Sequence, residues 1–261
     1  MRVWAAACKM EMAWNQERKV LVSLHASSFR KIGLCAALLV LLAPALSAGV
    51  IYIQPIQVCN DAGSMCANPS QTLFEAEGDK IWAQAGLDLS FYSWSLFNAT
   101  DYLTIDSEVE LGDLFYTPGH GQNPDPLVIS LWFVDTLFPL DPGTTFGAAA
   151  MPGNAIAIAN AVFSTNRLDT IAHEIGHSLG LDHYSGVNEA LNLMASGSTR
   201  SIPSNIGEIY PDGAGLDQLT PDQIAFASSS PLIRDEPVPE PASFWVSGAG
   251  ALGLILWRRR R

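Results

Sequence analysis

The sequence predicts an α+β fold in which helices pack on a mixed β-sheet. Three observations lead to this expectation. Strand-like and helix-like segments follow one another in the order strand, helix, strands, helix, irregular segment, helix. The strand-like segments either alternate or are continuously apolar, as strands are when one or both faces are buried. No internal repeat is visible, and the part between the two chain ends, residues 49–237, has the length of one domain.

The first elements of this body are predicted by their periodicity. Residues 49–58 (GVIYIQPIQV) alternate and are rich in isoleucine, so they predict a strand. Residues 70–86 have apolar side chains at helical spacing, with Ser70 as the N-cap and Gly86 at the end, and predict a helix. Residues 87–94 (LDLSFYSW) alternate again and predict a second strand.

The middle of the body is less regular. Residues 98–125 are acidic and loop-rich, with a short strand predicted near residues 102–105. Residues 126–137 (PLVISLWFVDTL) predict a buried strand, which the prolines within residues 139–142 end. Residues 147–163 predict an edge strand, a turn and a further short strand.

A last helix is predicted near the end of the body. Thr220 is a favourable N-cap, Pro221 suits the first helical position, and Gln223 completes a capping box. The element order therefore closes with a helix.

The N-terminal residues 1–48 have the features of a leader with a signal peptide. Arg30 and Lys31 precede an uncharged apolar run, residues 32–42, and small residues follow up to Ala48, where cleavage is expected. A buried core helix is the alternative, but the run is short and its basic flank fits export.

The C-terminal residues predict a linker followed by a membrane segment. The linker, residues 233–241, contains Pro239, Glu240 and Pro241, and residues 242–261 form an apolar segment with four arginines at its end. Basic residues stay on the cytoplasmic side, so the body is expected outside the membrane. This order of features resembles the PEP-CTERM sorting signal of exported bacterial proteins. The resemblance implies processing by an exosortase and a final location at the cell surface or outside the cell. A plain C-terminal membrane anchor is the alternative.

The charge of the body limits its partners. Residues 49–237 contain four basic and 23 acidic residues, a formal charge of −19. Such a surface argues against nucleic acid as a partner and is compatible with loosely bound Ca²⁺. Cys59 and Cys66 are predicted to form a small disulfide loop, as is usual in exported proteins.

The segment TIAHEIGHSLGLDHYS, residues 170–185, holds three of the five histidines of the chain. On a helix over residues 168–179, His173 and His177 lie on one face, one turn apart. Gly180 ends the helix and lets His183 return as a third ligand. Three protein ligands leave a fourth position for water, which is the catalytic arrangement of Zn²⁺. Glu174 lies beside the site as a general base.

This pattern, H-E-x-x-H-x-x-G-x-x-H, resembles the signature of metzincin zinc metallopeptidases. The resemblance implies a zincin-like mixed twisted sheet with an active-site helix and a small C-terminal subdomain ending in a helix. It also implies that Met194, in NLMASG, forms the Met-turn beneath the metal. The catalytic domain is placed at residues 49–232, nearest to a matrixin-like domain.

The resemblance further implies an exported endopeptidase that holds an extended protein or peptide substrate along an edge strand within residues 147–161 and uses Glu174 as its base. The second zinc site of matrixins has no counterpart here, because the edge-strand region contains no histidine. A zinc-binding surface or matrix protein without proteolytic activity is the alternative.

Overall fold

The computed structural model describes residues 47–138 and 144–237. The predicted leader up to Leu46, the proline-rich break at residues 139–142, the PEP tripeptide and the apolar C-terminal segment lie outside the described residues.

The described chain forms a seven-stranded sheet and a small two-stranded sheet. The strands are β1 (Ser47–Cys59), β2 (Leu87–Phe91), β3 (Ser95–Asn98), β4 (Thr104–Ile105), β5 (Ile129–Val134), β6 (Thr136–Leu137), β7 (Gly147–Ala149), β8 (Ala155–Ala159) and β9 (Ile233–Pro237). The main order is β2-β1-β5-β8-β7, and β4 pairs with β6. All neighbours in the main order are parallel except β7, which is antiparallel to β8. The predicted mixed sheet is therefore confirmed.

Strand β1 is long because four strands share its two sides. Ile53 lies opposite Phe91 of β2 on one side and Ile129 of β5 on the other. Strand β3 pairs with the last residues of β1 on the same side as β2. Strand β9 pairs with the first residues of β1 on the same side as β5. Positions 233–237 were predicted as a linker; instead they form β9, because their backbone pairs with β1 and Ile233 packs against the core.

Within residues 47–138 and 144–237, five α-helices connect and cover the strands. They are α1 (Glu75–Trp82), α2 (Glu108–Tyr116), α3 (Ala161–Ser164), α4 (Thr170–Ser178) and α5 (Pro221–Ala227), with 3₁₀ turns at Ala83–Ala85, Thr100–Leu103, Glu189–Leu191 and Ile206–Glu208. Helix α5 begins with the predicted capping box of Thr220 and Gln223.

Helix α1 starts later than predicted. Ser70 does not cap it, because the side chain of Asn68 accepts a hydrogen bond from the Thr72 backbone N–H and donates one to its carbonyl, which holds this stretch as a loop. The helix follows Phe74, which has left-handed backbone dihedrals.

Helix α2 lies where the sequence predicted a loop. Ser107 caps it by accepting a hydrogen bond from the Glu110 backbone N–H, and the Glu110 side chain accepts one from the Asp106 N–H. A serine followed three residues later by a glutamate is a helix-start pattern, so the information was present in the sequence.

The core lies on both faces of the sheet. Strand β5 is buried along its whole length. Ile129, Leu131 and Phe133 belong to a core cluster shared with α1 and α4, whereas Trp132 and Val134 belong to a second cluster shared with α2. A strand buried on both faces explains why its sequence is continuously apolar rather than alternating. Helix α4 is thereby fixed against the sheet near β7 and β8.

Cys59, at the end of β1, forms the predicted disulfide with Cys66.

Within the described residues, no helix combines the length and apolar character needed to cross a bilayer.

Candidate metal centre

The end of helix α4 determines where the third histidine lies. Gly180 has a φ of 94°, which glycine adopts without strain. The N–H of Gly180 donates to the carbonyl of His177, and the N–H of Leu181 donates to the carbonyl of Gly176, both at 2.9 Å. These two bonds form a Schellman motif, which satisfies the last helical carbonyls and turns the chain sharply. His183 therefore returns towards the helix.

The three histidines of the predicted motif lie together. His177 Nε2 is 3.1 Å from His173 Nε2 and 3.3 Å from His183 Nε2. One ring nitrogen from each histidine lies within 4.8 Å of the other two. His173 is buried, His177 is half-buried and His183 is exposed. The site is therefore closed on the helix side and open to solvent on the side of His183.

The other ring nitrogens of the two helical histidines face backbone carbonyls. His173 Nδ1 is 2.7 Å from the Leu193 carbonyl oxygen, and His177 Nδ1 is 2.7 Å from that of Leu181. A carbonyl only accepts, so the tautomer with the proton on Nδ1 completes both bonds and leaves each Nε2 lone pair free. This arrangement is typical of metal-ligating histidines.

The protonation of these rings also suits a metal. Burial lowers the pKa of His173 well below its ordinary value, and the positive charge of Arg200 acts in the same direction. Burial likewise lowers the pKa of His177. With Nδ1 protonated, the facing Nε2 atoms have no hydrogen to share, so a cation between them is what makes their close approach favourable. Three imidazole donors with one open position fit Zn²⁺.

Among the described residues, this is the one group of three or more His, Cys, Asp or Glu side chains placed to hold a metal. The acidic surface had suggested bound Ca²⁺, and the structure gives that expectation no support.

Glu174 lies beside the histidines under the edge strand β7. Its side chain is buried, and a Cβ added at Gly147 would lie 2.7 Å from its Oε1. Burial raises the pKa of Glu174 to about 8, and the charge of Arg200 opposes this rise. A glycine at the start of β7 is thus what allows the strand to pass directly over the carboxyl group.

Met194, which is predicted to form a Met-turn, packs against Gly176 of helix α4. It is fully buried, and a Cβ at Gly176 would overlap its Sδ. The Met194 backbone N–H donates to Asn192 Oδ1 at 2.9 Å, and its carbonyl accepts from the N–H of Tyr184 at 2.8 Å. These bonds join the methionine turn to the residue that follows His183.

Arg200 is the residue at this site that the sequence interpretation missed. The sequence pattern assigns it no role beyond that of one of the four basic residues of the body. Its buried guanidinium lies against His173 Nδ1, and its Nε is 2.8 Å from Asp169 Oδ2. A second buried carboxyl group, Asp217, lies beside Asp169; burial and the charge of Asp169 raise the pKa of Asp217. No sequence pattern links these three positions, because they lie on different segments of the chain.

Comparison with known families bears on the C-terminus of the chain. Residues 237–261 match the PEP-CTERM protein-sorting motif. The predicted sorting signal with Pro239, Glu240 and Pro241 is therefore confirmed at the level of the sequence. A PEP-CTERM motif indicates an exported protein and implies processing by an exosortase.

Comparisons of the whole chain give only distant similarities. No curated protein sequence matches it. Similar solved structures include an archaemetzincin from Methanopyrus kandleri, with 14% identity over 57% of this chain and 83% of that chain, at a TM-score of 0.38. They also include metalloproteinase-II from Bacteroides fragilis, with 18% identity over 71% of this chain and 54% of that chain, at a TM-score of 0.45. At these scores the similarities carry no weight for the function of this chain.

Proposed function

We propose that this chain is an exported zinc-dependent endopeptidase that hydrolyses peptide bonds in extracellular proteins. His173, His177 and His183 hold one Zn²⁺, and Glu174 is the general base. The observation that carries the proposal is the convergence of three imidazole nitrogens within 4.8 Å of one another, with the buried Glu174 directly following His173 on the same helix. This donor set leaves one coordination position open, as catalytic zinc sites do.

The chemistry divides between the metal and the chain. Bound zinc acts as a Lewis acid that lowers the pKa of a coordinated water towards neutrality. Glu174 takes up the proton of the attacking water and later passes it to the departing amine. Burial raises its pKa to about 8, and the positive charge of a bound Zn²⁺ would oppose this rise and favour the ionised carboxylate that acts as a base.

Strand β7 provides a place for the substrate backbone. It is the last strand in the main order of the sheet, its residues Gly147–Ala149 are partly exposed, and Gly147 lies over Glu174. An extended peptide that pairs with the free edge of β7 would present a carbonyl group to the metal site. Main-chain hydrogen bonds of this kind can form with peptides of many different sequences. They therefore favour a protein substrate over a small molecule.

The sorting motif supports the location of this activity. An exported chain meets proteins outside the cytoplasm, and the acidic body is suited to that environment. The predicted signal peptide, the membrane contact through residues 242–261 and the final release to the cell surface or medium belong to this proposal.

The test is cleavage of casein or gelatin by the purified protein, combined with metal analysis. We expect one zinc per chain, cleavage that a chelator abolishes, and recovery on addition of zinc. One bound zinc without cleavage would favour the alternative, a zinc-binding surface or matrix protein. The absence of stoichiometric zinc would contradict both.

A further inference from the structure

Arg200 forms a buried ion pair at the beginning of helix α4. Its side chain is 2% exposed, and that of its partner Asp169 is 0% exposed. Asp169 directly precedes the first residue of the helix, and the Nε–Oδ2 distance is 2.8 Å. The guanidinium is therefore anchored to the same helix that carries His173.

The other end of the guanidinium contacts the turn around Met194. Arg200 Nη1 donates to the carbonyl oxygens of Leu193 and Ala195, at 3.0 and 3.3 Å. The Leu193 oxygen is also the acceptor for His173 Nδ1, at 2.7 Å. A carbonyl oxygen has two lone pairs, so one atom here serves both Arg200 and a histidine of the metal site.

His177 differs in the origin of its carbonyl partner. Leu181 lies in the Schellman turn at the end of α4, so the helix itself fixes that oxygen. Leu193 lies 20 residues after His173, in a segment without a regular strand or α-helix. In this segment other hydrogen bonds hold the backbone of Met194, and Arg200 is the side chain that holds the Leu193 oxygen itself.

We infer that Arg200 is a positioning residue of the metal centre: its guanidinium, anchored on Asp169, holds the Leu193 carbonyl that orients His173. The inference rests on the proposed zinc site and goes beyond it, since Arg200 neither ligates the metal nor touches the substrate. Loss of a group that orients a metal ligand typically lowers metal affinity 10- to 100-fold.

Electrostatic repulsion alone would give the opposite result. A positive charge beside His173 repels a cation, so removal of Arg200 would tighten zinc binding. Asp169 lies 2.8 Å from the guanidinium and offsets part of its charge. The geometric effect should therefore prevail, and the sign of the change in zinc affinity distinguishes the two explanations.

The test measures the zinc affinity of the full-length chain by competition with a chromophoric chelator, below the unfolding temperature of each variant. We expect Arg200→Met to bind zinc about 10- to 100-fold more weakly than the wild type. Arg200→Lys restores part of the affinity, because an ammonium group lacks the planar fork that reaches a carboxylate and a carbonyl together. The absorption of the Co²⁺-substituted protein reports whether the ligand geometry has changed.

Two further variants make the result decisive. Arg234→Met removes the ion pair with Asp125, away from the histidines, and should leave zinc affinity unchanged. The double variant Arg200→Met/Asp169→Leu removes both partners of the buried ion pair, so Asp169 is not left as an unpaired carboxylate. It should lose zinc affinity as the single variant does.

The outcomes separate this inference from the proposed function. Folded Arg200 variants that bind zinc as tightly as the wild type, or more tightly, would overturn the inference and leave the zinc site intact, even if their melting temperatures fall. A wild-type chain that binds no zinc would overturn the proposed function and this inference with it.

Discussion

At Glu174, burial and position act on the same carboxyl group. The side chain lies under a glycine of strand β7, and its pKa is raised to about 8 because it is shielded from water. The adjacent histidines keep their ring protons on the atoms that face backbone carbonyls. At the scale of single residues, burial thus favours the protonated form of Glu174, and the positive charge of a bound Zn²⁺ would favour the ionised form that acts as a base.

Replacing Glu174 with glutamine should separate zinc binding from catalysis. Glutamine keeps the shape of the side chain but cannot take up the proton, so we expect kcat/KM for casein to fall by about 10²- to 10⁴-fold while one zinc per chain is retained. Glu75→Gln, on the exposed first turn of α1, is the control and should remain fully active. Full activity of the Glu174→Gln variant would remove Glu174 from the role of base.

At the scale of elements, helix α4 depends on a glycine for its packing. Gly176 lies directly over the Met194 sulfur, and a side chain there would meet the methionine turn as well as Trp82 of α1. Glycine lowers helix stability, so its presence inside α4 indicates that close approach was needed. The same helix also carries two of the three histidines, which links this packing contact to the metal site.

Two glycines inside helices provide a matched pair for testing that contact. Gly112 in α2 has no atom within 4 Å of the place where a Cβ would lie. Gly112→Ala should stabilise the protein by up to about 1 kcal/mol through helix propensity alone. Gly176→Ala has the same propensity gain but overpacks against Met194, so we expect a net loss of about 1 to 3 kcal/mol in urea unfolding. Equal effects of the two substitutions would mean that α4 and the methionine turn are not tightly packed.

At the scale of the whole molecule, the four basic residues of the acidic body, residues 49–237, all make contacts with other side chains. Lys80, Arg200 and Arg234 pair with aspartates, and the Arg167 guanidinium lies 4.1 Å from the centre of the Phe146 ring. The Arg200 pair is the buried one, and Asp217 adds a second carboxyl group to it. Burial and the neighbouring Asp169 raise the pKa of Asp217 from 3.8 to about 8.

This raised pKa gives the molecule a pH-dependent stability. Between about pH 4 and pH 8 the folded state keeps a proton on Asp217 that the unfolded state has released, so this group lowers stability as the pH rises. Asp217→Asn removes the titration, and asparagine tolerates the positive φ of 58° at this position. When the pH rises from about 6 to about 8.5, the free energy of unfolding of the wild type should fall by at least about 1 kcal/mol relative to that of the variant, as measured by urea unfolding.

The control for this pH effect is a surface carboxylate. Asp222→Asn, on the exposed first turn of α5, should change stability by no more than about 0.5 kcal/mol at either pH. A constant difference between Asp217→Asn and the wild type across the pH range would show that Asp217 is not held protonated by its surroundings.

The sequence by itself determined the local features of this protein. The spacing of His173 and His177, the turn at Gly180 and the capping box at Thr220 are properties of neighbouring residues, so periodicity and capping rules predict them. The same holds for the continuously apolar strand β5 and for the sorting motif at the C-terminus. Even the missed helix α2 carried a readable start at Ser107.

Only the tertiary structure decided which distant residues meet. The late start of α1 depends on hydrogen bonds from Asn68, and β9 exists because β1 has a free side at which to pair. Gly147 over Glu174, and Arg200 between Asp169 and Leu193, bring together residues from separate segments. Contacts of this kind depend on how elements pack, and packing leaves no fixed spacing in the chain, which is why the contacts of Gly147 and Arg200 were not predictable from sequence.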